Sequence, residues 1–372
     1  MSLILMVLMM LLCSGCNPDV ELCYGDHPHR TRVVLAFASN QYAQTAPGQL
    51  TVFLERGRHH MQINGEWLTE TNTFTPTTEI EEVYCHDGLL YVPVGEWRIA
   101  ALSSEYINVE IDERAMQLSL SRMLDSMWIT YDAMRYVDLP KGRFRYWHDR
   151  NGYSDNERDG KSYLATLDDT PLLLGNAAFS IAEYAKETEV KNVPVSFKPV
   201  TQEVHVNIPI STDAGIVVDS LTAEMSGICS RMKIGTREVD ISKTYKVIFP
   251  TEIKEGAPTM ACGTFHATGI VSSQSGALIT GPGILSVMVF VHYFDNDGLR
   301  KTRTLEASVN MISQIAKTPS ILKDENGRVH QAADELTYNI PVMMHLSRNK
   351  VTSIGDAALE QWVDQTQIDV DY

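Results

Sequence analysis

From residue 190 onward, apolar side chains recur at every second position. Val204, Val206, Ile208 and Ile210 alternate with Glu203, His205 and Asn207, and only an extended strand gathers such a set on one face. The pattern is that of a half-buried strand in an antiparallel sheet, apolar toward a core and polar toward water. Residues 216–226 repeat it with Val217, Leu221, Ala223 and Met225. The run 284–294 (ILSVMVFVHYF) is apolar on both faces and reads as a central strand. Asp295-Asn296-Asp297-Gly298 then reads as a turn, with 299–309 returning as the second arm of a hairpin.

The first half of the chain carries the same signal in shorter pieces. Residues 31–38 (TRVVLAFA) are β-rich, and Leu50, Val52 and Leu54 alternate with Thr51, Phe53 and Glu55. Arg56-Gly57-Arg58 reads as a turn into 59–63, and Asn64-Gly65 as a hairpin turn, since both residues tolerate positive φ. Asp87-Gly88 opens LLYVPVGEWRIAAL (89–102), broken at Pro93-Val94-Gly95 into two strands, and 106–111 alternates again. Residues 141–170 form a polar, turn-rich excursion, a surface loop in which Phe144, Tyr146, Trp147 and Tyr153 offer local packing. A helix is expected over 176–187 (NAAFSIAEYAKE). Many short strands without intervening helices exclude a doubly wound fold and favour all-β architecture, two tandem Greek-key β-sandwiches. The pattern changes near 198–202, which divides an N-terminal domain, 31–200, from a C-terminal one, 201–372. At 353–372, Ala357, Ala358 and Trp362 fit a short helix, and Ile368 with Val370 fits a final strand. That strand is either donated to a neighbour or packed on its own domain.

Composition narrows the function. Among 372 residues, Lys+Arg number 31 and Asp+Glu 47, a formal net charge of −16. Such a surface repels phosphate backbones, so nucleic acid is not an expected partner. With 44% apolar and 21% charged residues the chain is a folded one. Residues 3–12 (LILMVLMMLL) span only about 15 Å as a helix, half a bilayer core, which fits the apolar part of a secretory signal. The small pair Ser14-Gly15 before Cys16 resembles the lipobox of a bacterial lipoprotein, with Cys13 where Leu is usual and no Lys or Arg ahead of the run. The resemblance implies a signal peptide over 1–15, fatty acid (palmitate among it) on Cys16, a tether over 16–30 and an outer-membrane anchor. A signal that is simply cleaved is the other reading.

Residues able to carry chemistry are few. Cys23, Cys85, Cys229 and Cys262 follow Cys16. Outside the cytoplasm they permit disulfides, with Cys23–Cys85 and Cys229–Cys262 the pairings that proximity in sequence suggests, while buried free thiols are the alternative. No CxxC pair supports a redox motif or zinc ribbon. Asp26-His27-Pro28-His29, His59-His60 and Cys85-His86 lack metal-ligand spacing, and adjacent strand residues such as His59 and His60 point to opposite faces. Asp155, Glu157 and Asp159 with Gly160 resemble half a calcium loop, but Thr166 stands where its closing carboxylate belongs. Neither a GxSxG elbow nor a GxxxxGK[ST] or GxGxxG loop is present, so no catalytic residue and no cofactor is expected. Trp67, Trp97 and Trp128 lie in strand-like contexts, where core burial is the default.

Leu22-Cys23-Tyr24 through Asp26-His27-Pro28-His29, close behind Cys16, resembles the mature start of a set of Bacteroidales lipoproteins. Pro93, Gly95 and Trp97 within 89–102 resemble a strand pair of those proteins, and 221–229 (LTAEMSGIC) a segment of their second domain, with Ile228 and Cys229 departing from the usual residues. These lipoproteins are similar to fimbrillins and fimbrial-anchor lipoproteins. The resemblance implies two transthyretin-like β-sandwiches on a lipid anchor, with fimbrial subunits as partners joined by strand complementation. A non-enzymatic structural or adhesion role is therefore expected. A surface glycan- or ligand-binding lipoprotein is the alternative from a second class, and a hydrolase from a third.

Overall fold

The protein is seen in a computed structural model that describes residues 30–37, 49–57, 59–68, 73–76, 84–86, 89–102, 107–111, 123–131, 172–182, 190–273, 281–355 and 361–365. Among the described residues it is all-β, with two short helices. The first half supplies β1 (Arg30–Phe37), β2 (Gln49–Arg56), β3 (His59–Leu68), β4 (Thr73–Pro76), β5 (Tyr84–His86), β6 (Leu89–Pro93) and β7 (Gly95–Leu102). There follow β8 (Ile107–Ile111), α1 (Met123–Ser126), β9 (Met127–Tyr131), β10 (Leu173–Ile181) and β11 (Val190–Pro199).

The first sheet runs β11-β10-β7-β2-β3-β4-β1-β6-β5. It also closes on itself, because β1 and β11 pair in parallel from Arg32 opposite Val190 to Phe37 opposite Val195. Closure removes an edge that would otherwise invite aggregation. Alternation decides what lies inside: Val33 and Leu35 of β1, Val52 and Leu54 of β2, and Val193, Val195 and Phe197 of β11 bury in one cluster with Trp97.

Two expectations fail here for tertiary reasons. Asn64-Gly65 makes no turn but lies inside β3, paired to Thr51 and Leu50. A Cβ on Gly65 would sit 2.4 Å from the Phe74 ring of β4, so this glycine serves a close approach. The turn expected between β2 and β3 is present at Gly57, with φ +61. The helix expected over 176–187 is replaced by β10, where Asn176, Ala178 and Ser180 are exposed and Ile181 is buried. Pairing with β7 on one side and β11 on the other overrides the helical propensity of its alanines.

The second sheet draws on β12 (Gln202–Thr212), β13 (Ile216–Lys233), β14 (Val239–Lys254), β15 (Thr259–Ala267), β16 (Ile284–Phe294) and β17 (Arg300–Asn310). After α2 (Ile312–Lys317) come β18 (Ile321–Lys323), β19 (Val329–Gln331), β20 (Glu335–Asn339), β21 (Met343–Leu346), β22 (Val351–Ile354) and β23 (Val363–Asp364). Its order is β22-β21-β12-β15-β14-β13-β16-β17-β23, with β20 beside β12. β14 carries the sheet around the corner: Val239 to Pro250 pair with β13, and Thr251 to Lys254 pair with β15. The two layers enclose Val206, Ile208, Leu221, Phe249, Val287 and Leu305 among others. Phe249 and Phe265 meet across that core at 4.7 Å. The turn expected at 295–298 is present, Asp295 Oδ1 accepting from the amides of Asp297 and Leu299 and Gly298 taking φ +74.

Sheet membership departs from chain order at 107–131. β9 pairs with β13, Trp128 opposite Lys233, and β8 pairs with β9. A third apolar cluster lies where the sheets meet, joining Phe53 and Leu102 of the first to Met127 and Ile129 of β9 and to Cys229 and Met232 of β13. Arg98 of β7 reinforces it, donating to Asp125 of α1 at 2.8 Å and to the buried Glu55 at 3.3 Å.

Candidate strand-docking edge

The β16–β17 hairpin pairs without a break from Ile284 opposite Asn310 to Phe294 opposite Arg300. Among the described residues, the far edge of β17 is covered only at one end. There β23 lies antiparallel, Ala307 opposite Asp364 and Ser308 opposite Val363, and the Gln365 amide donates to the Glu306 carbonyl at 2.9 Å. Beyond that bond, Arg300 to Leu305 have no strand partner on this side among the described residues. Because hydrogen-bonding direction alternates along a strand, Arg300, Thr302 and Thr304 aim their amides and carbonyls the same way as Glu306, out of the sheet. An extended chain could add there by main-chain bonds.

Trp362 holds the covering segment in place. It is buried in the main core, its indole N–H donates to the Val342 carbonyl at 3.0 Å, and its backbone amide donates to Ser353 Oγ of β22 at 2.6 Å. The segment thereby lies across the gap between the outermost strands of the two layers, β17 and β22. Toward the hairpin turn, side chains span the gap: Arg303 donates to Asn349 at 2.6 Å, and Arg348 lies over the Tyr293 ring at 5.2 Å.

The electrostatics of this edge invert those of the whole chain. Arg300, Lys301 and Arg303 are all exposed on β17. Charged side chains of this kind guard an edge against indiscriminate pairing and favour an acidic incoming strand. Asp219 accepts from Arg300 at 3.3 Å and lies 2.7 Å from His292 Nδ1. Phe294 and Leu299, both more than half exposed, flank the turn.

The residues singled out from sequence distribute as follows. Cys16, Cys23, Asp155, Glu157 and Asp159 lie outside the described residues, as does the loop 141–170. Cys85 is on β5, opposite Leu90. Cys229 and Cys262 are free thiols, which overturns their suggested pairing. Cys229 is opposite Thr244 and Cys262 opposite Glu252, eight residues along the same strand, or about 26 Å at the rise of a strand, far beyond disulfide reach. Burial pushes the Cys229 thiol up to about 12. Trp97 is buried, its indole N–H donating to the Pro93 carbonyl. Trp128 instead is half-buried, beneath Arg231 at 4.7 Å and Lys233 at 4.8 Å. Among the described residues no group of three or more His, Cys, Asp or Glu side chains could hold a metal ion.

One constellation had no local signal. Ser211 Oγ lies 2.9 Å from His345 Nδ1, and His345 Nε2 lies 3.1 Å from Asp213 Oδ1. Only the parallel pairing of β12 with β21 brings them together. The nitrogens are wired opposite to a hydrolytic triad, in which Nε2 faces the serine and Nδ1 the carboxylate. The set works as a cross-strand link that fixes register.

Among the described residues, fold and edge together define an all-β chain of two large curled sheets and a small β18–β19 hairpin, with β17 a partly covered strand edge. No family model matches the chain, and no curated protein matches it. Solved structures do. A candidate adhesin from Bacteroides thetaiotaomicron is similar at 10% identity and a TM-score of 0.39, over 90% of this chain and 97% of that one. The fimbrial anchor protein Mfa2 from Porphyromonas gingivalis is similar at 12% identity and a TM-score of 0.37, over 90% of this chain and 95% of its own. A candidate polysaccharide-binding protein from Bacteroides thetaiotaomicron gives 10% identity and a TM-score of 0.35, over 90% and 99%. The functional reading below rests on this chain's own strands and sequence.

Proposed function

We propose that the chain is a non-enzymatic cell-surface structural or adhesion lipoprotein, an anchor or accessory subunit of a fimbria, joined to its partner by β-strand complementation. The observation that supports this is the stretch Arg300–Leu305 of β17, which among the described residues has no strand partner on its far side. A partner strand of about ten residues bringing about five apolar side chains would gain on the order of 10 kcal/mol gross, enough for a long-lived joint after ordering is subtracted. The segment 1–15 would be removed as a signal peptide, fatty acid on Cys16 would fix the chain to the outer membrane, and 16–30 would serve as tether to lobes spanning 31–200 and 201–372.

Two measurements test this. Labelled palmitate should enter the wild-type chain in cells but not Cys16→Ala. The purified mature chain should capture a co-encoded pilin subunit in a complex that survives mild denaturant, and failure to recover any such complex from cells would overturn the fimbrial role. A specific observation keeps glycan binding as the second reading: a cleft of about 420 Å³ on the first sheet, bordered by Glu55, Glu96, Ser180 and the half-buried Phe179. Retention on a polysaccharide gel, lost in Phe179→Ala, would favour it.

A further inference from the structure

Between the β13–β14 turn and β19 lies a cleft of about 440 Å³, bordered by Thr236 and Arg237 on one wall and by His330, Gln331 and Asp334 on the other. It shares no lining residue with the cleft on the first sheet. We propose that it binds a sugar acid, a uronic acid unit of a saccharide, with Arg237 taking the carboxylate and Asp334 and His330 taking hydroxyls.

Backbone conformation singles out Arg237. Its φ is +56, and among the described residues every other residue at positive φ is a glycine. A side chain is strained there and glycine is not, so the arginine costs stability and is kept in place by its surroundings. The Arg237 amide donates to the Lys233 carbonyl and the Lys233 amide to the Glu238 carbonyl, both at 2.9 Å. The amides of Ile234 and Gly235 donate at 3.0 Å to the carbonyls of Met127 in β9 and Leu124 in α1. Cations beside the turn are spent on carboxylates of the same hairpin: Arg231 binds Asp240 and Lys233 binds Glu238, each at 2.7 Å. Arg237 stands at the cleft instead. A guanidinium offers a carboxylate two parallel N–H donors, which is the reason to hold an arginine where glycine would sit more easily.

The facing wall is built in advance. Glu238 and His330 form an antiparallel bridge, and His330 lies opposite Leu322 in the β18–β19 pair. Gln331 Nε2 donates to the Val200 and Thr268 carbonyls at 2.7 and 2.9 Å, and the buried Gln202 donates to the Ala333 carbonyl at 2.6 Å. A ligand that enters against such a wall does not have to order it. The lining also decides the class of ligand. Asp334 would repel a bare anion but accepts from hydroxyls, and a neutral sugar would leave the Arg237 charge unused. A sugar acid satisfies both. With a net charge of −16 the chain as a whole repels anions, so an acidic ligand held here reports local recognition.

The test titrates the purified chain with glucuronic acid, glucose and inorganic sulfate, read by backbone amide shifts at 236–238 and 330–334. Glucuronic acid should shift these amides saturably and bind at least tenfold more tightly than glucose or sulfate. Arg237→Gly should weaken that binding at least tenfold while raising the thermal midpoint, because it relieves the strained backbone. Asp334→Ala should weaken it at least threefold. Absent shifts, or equal affinity for the three probes, would overturn the site. Unchanged binding in Arg237→Gly, or tighter binding in Asp334→Ala, would do the same. A lowered midpoint in Arg237→Gly would show the arginine to be structural and count equally against it.

Discussion

Single residues in this chain take their roles from neighbours that are distant in sequence. Cys229 is a strand residue, and its chemistry is set by its depth: desolvation disfavours the thiolate and raises the thiol to about 12, with the Asp240 charge adding to the effect. At neutral pH it is a small apolar side chain. A thiol reagent should therefore modify the half-buried Cys262 in the native protein and reach Cys229 only on unfolding, as read by peptide mass after labelling with and without denaturant. Gly65 makes the same point through space. The Asn-Gly pair is a strong local turn signal, yet the glycine is buried in a strand because the Phe74 ring occupies the volume a side chain would need. Gly65→Ala should lower stability by about 1–3 kcal/mol, the range for overpacking, seen as a lower thermal midpoint. Asn64→Ala at the exposed neighbouring position should be nearly neutral.

At the scale of elements, the open side of the second sandwich is held by a segment of two paired residues anchored by one indole. Trp362 is 4% exposed and links β21, β22 and β23 through its packing and two hydrogen bonds. Trp362→Ala should cost about 3–5 kcal/mol and release β23, so that limited proteolysis cuts near 361–365 before the body of the domain. Trp362→Phe, which keeps most of the apolar contact and loses the indole donor, should lose far less. Elements of this kind were legible in the sequence where their cause is local. Alternation announced β12, and a two-faced apolar run followed by Asp-Asn-Asp-Gly announced the β16–β17 hairpin, because side-chain direction and turn chemistry are properties of adjacent residues. Pairing partners were not legible. β12 lies beside β21 and β20 across more than a hundred residues, and no property of Ser211 or Asp213 points to His345. That β17 stands at the margin of its sheet among the described residues is a statement about which strands are next to which, so it too is visible only in the fold. The alanines of β10 misled for the complementary reason: helical propensity is a weak local preference, and two neighbouring strands outweigh it.

For the whole molecule the question is whether two sheets make two independent bodies. Chain order suggests that they do, since one sheet takes its strands from 30–199 and the other mostly from 202–364. Packing argues otherwise. β8, α1 and β9 arise between strands of the first sheet, but β9 pairs with β13 of the second and β8 pairs with β9. The apolar cluster they build buries Phe53, Ala100 and Leu102 from one side and Cys229, Met232 and Val239 from the other. Gly235 allows the approach, since a Cβ there would lie 2.3 Å from Asp125 Oδ1, and Arg98 ties Asp125 back to the first sheet. An interface of that apolar character couples the stabilities of the units it joins, whereas a polar one lets them open separately. The wild-type chain should therefore unfold in one calorimetric transition. Met232→Ala, which empties part of the shared cluster, should shift that transition downward as a whole, by the effect of about 2–5 kcal/mol usual for such truncations. Two resolved transitions, of which Met232→Ala moves only the one belonging to its own sheet, would show that the sheets fold as separate units and that force applied to one is not borne by the other.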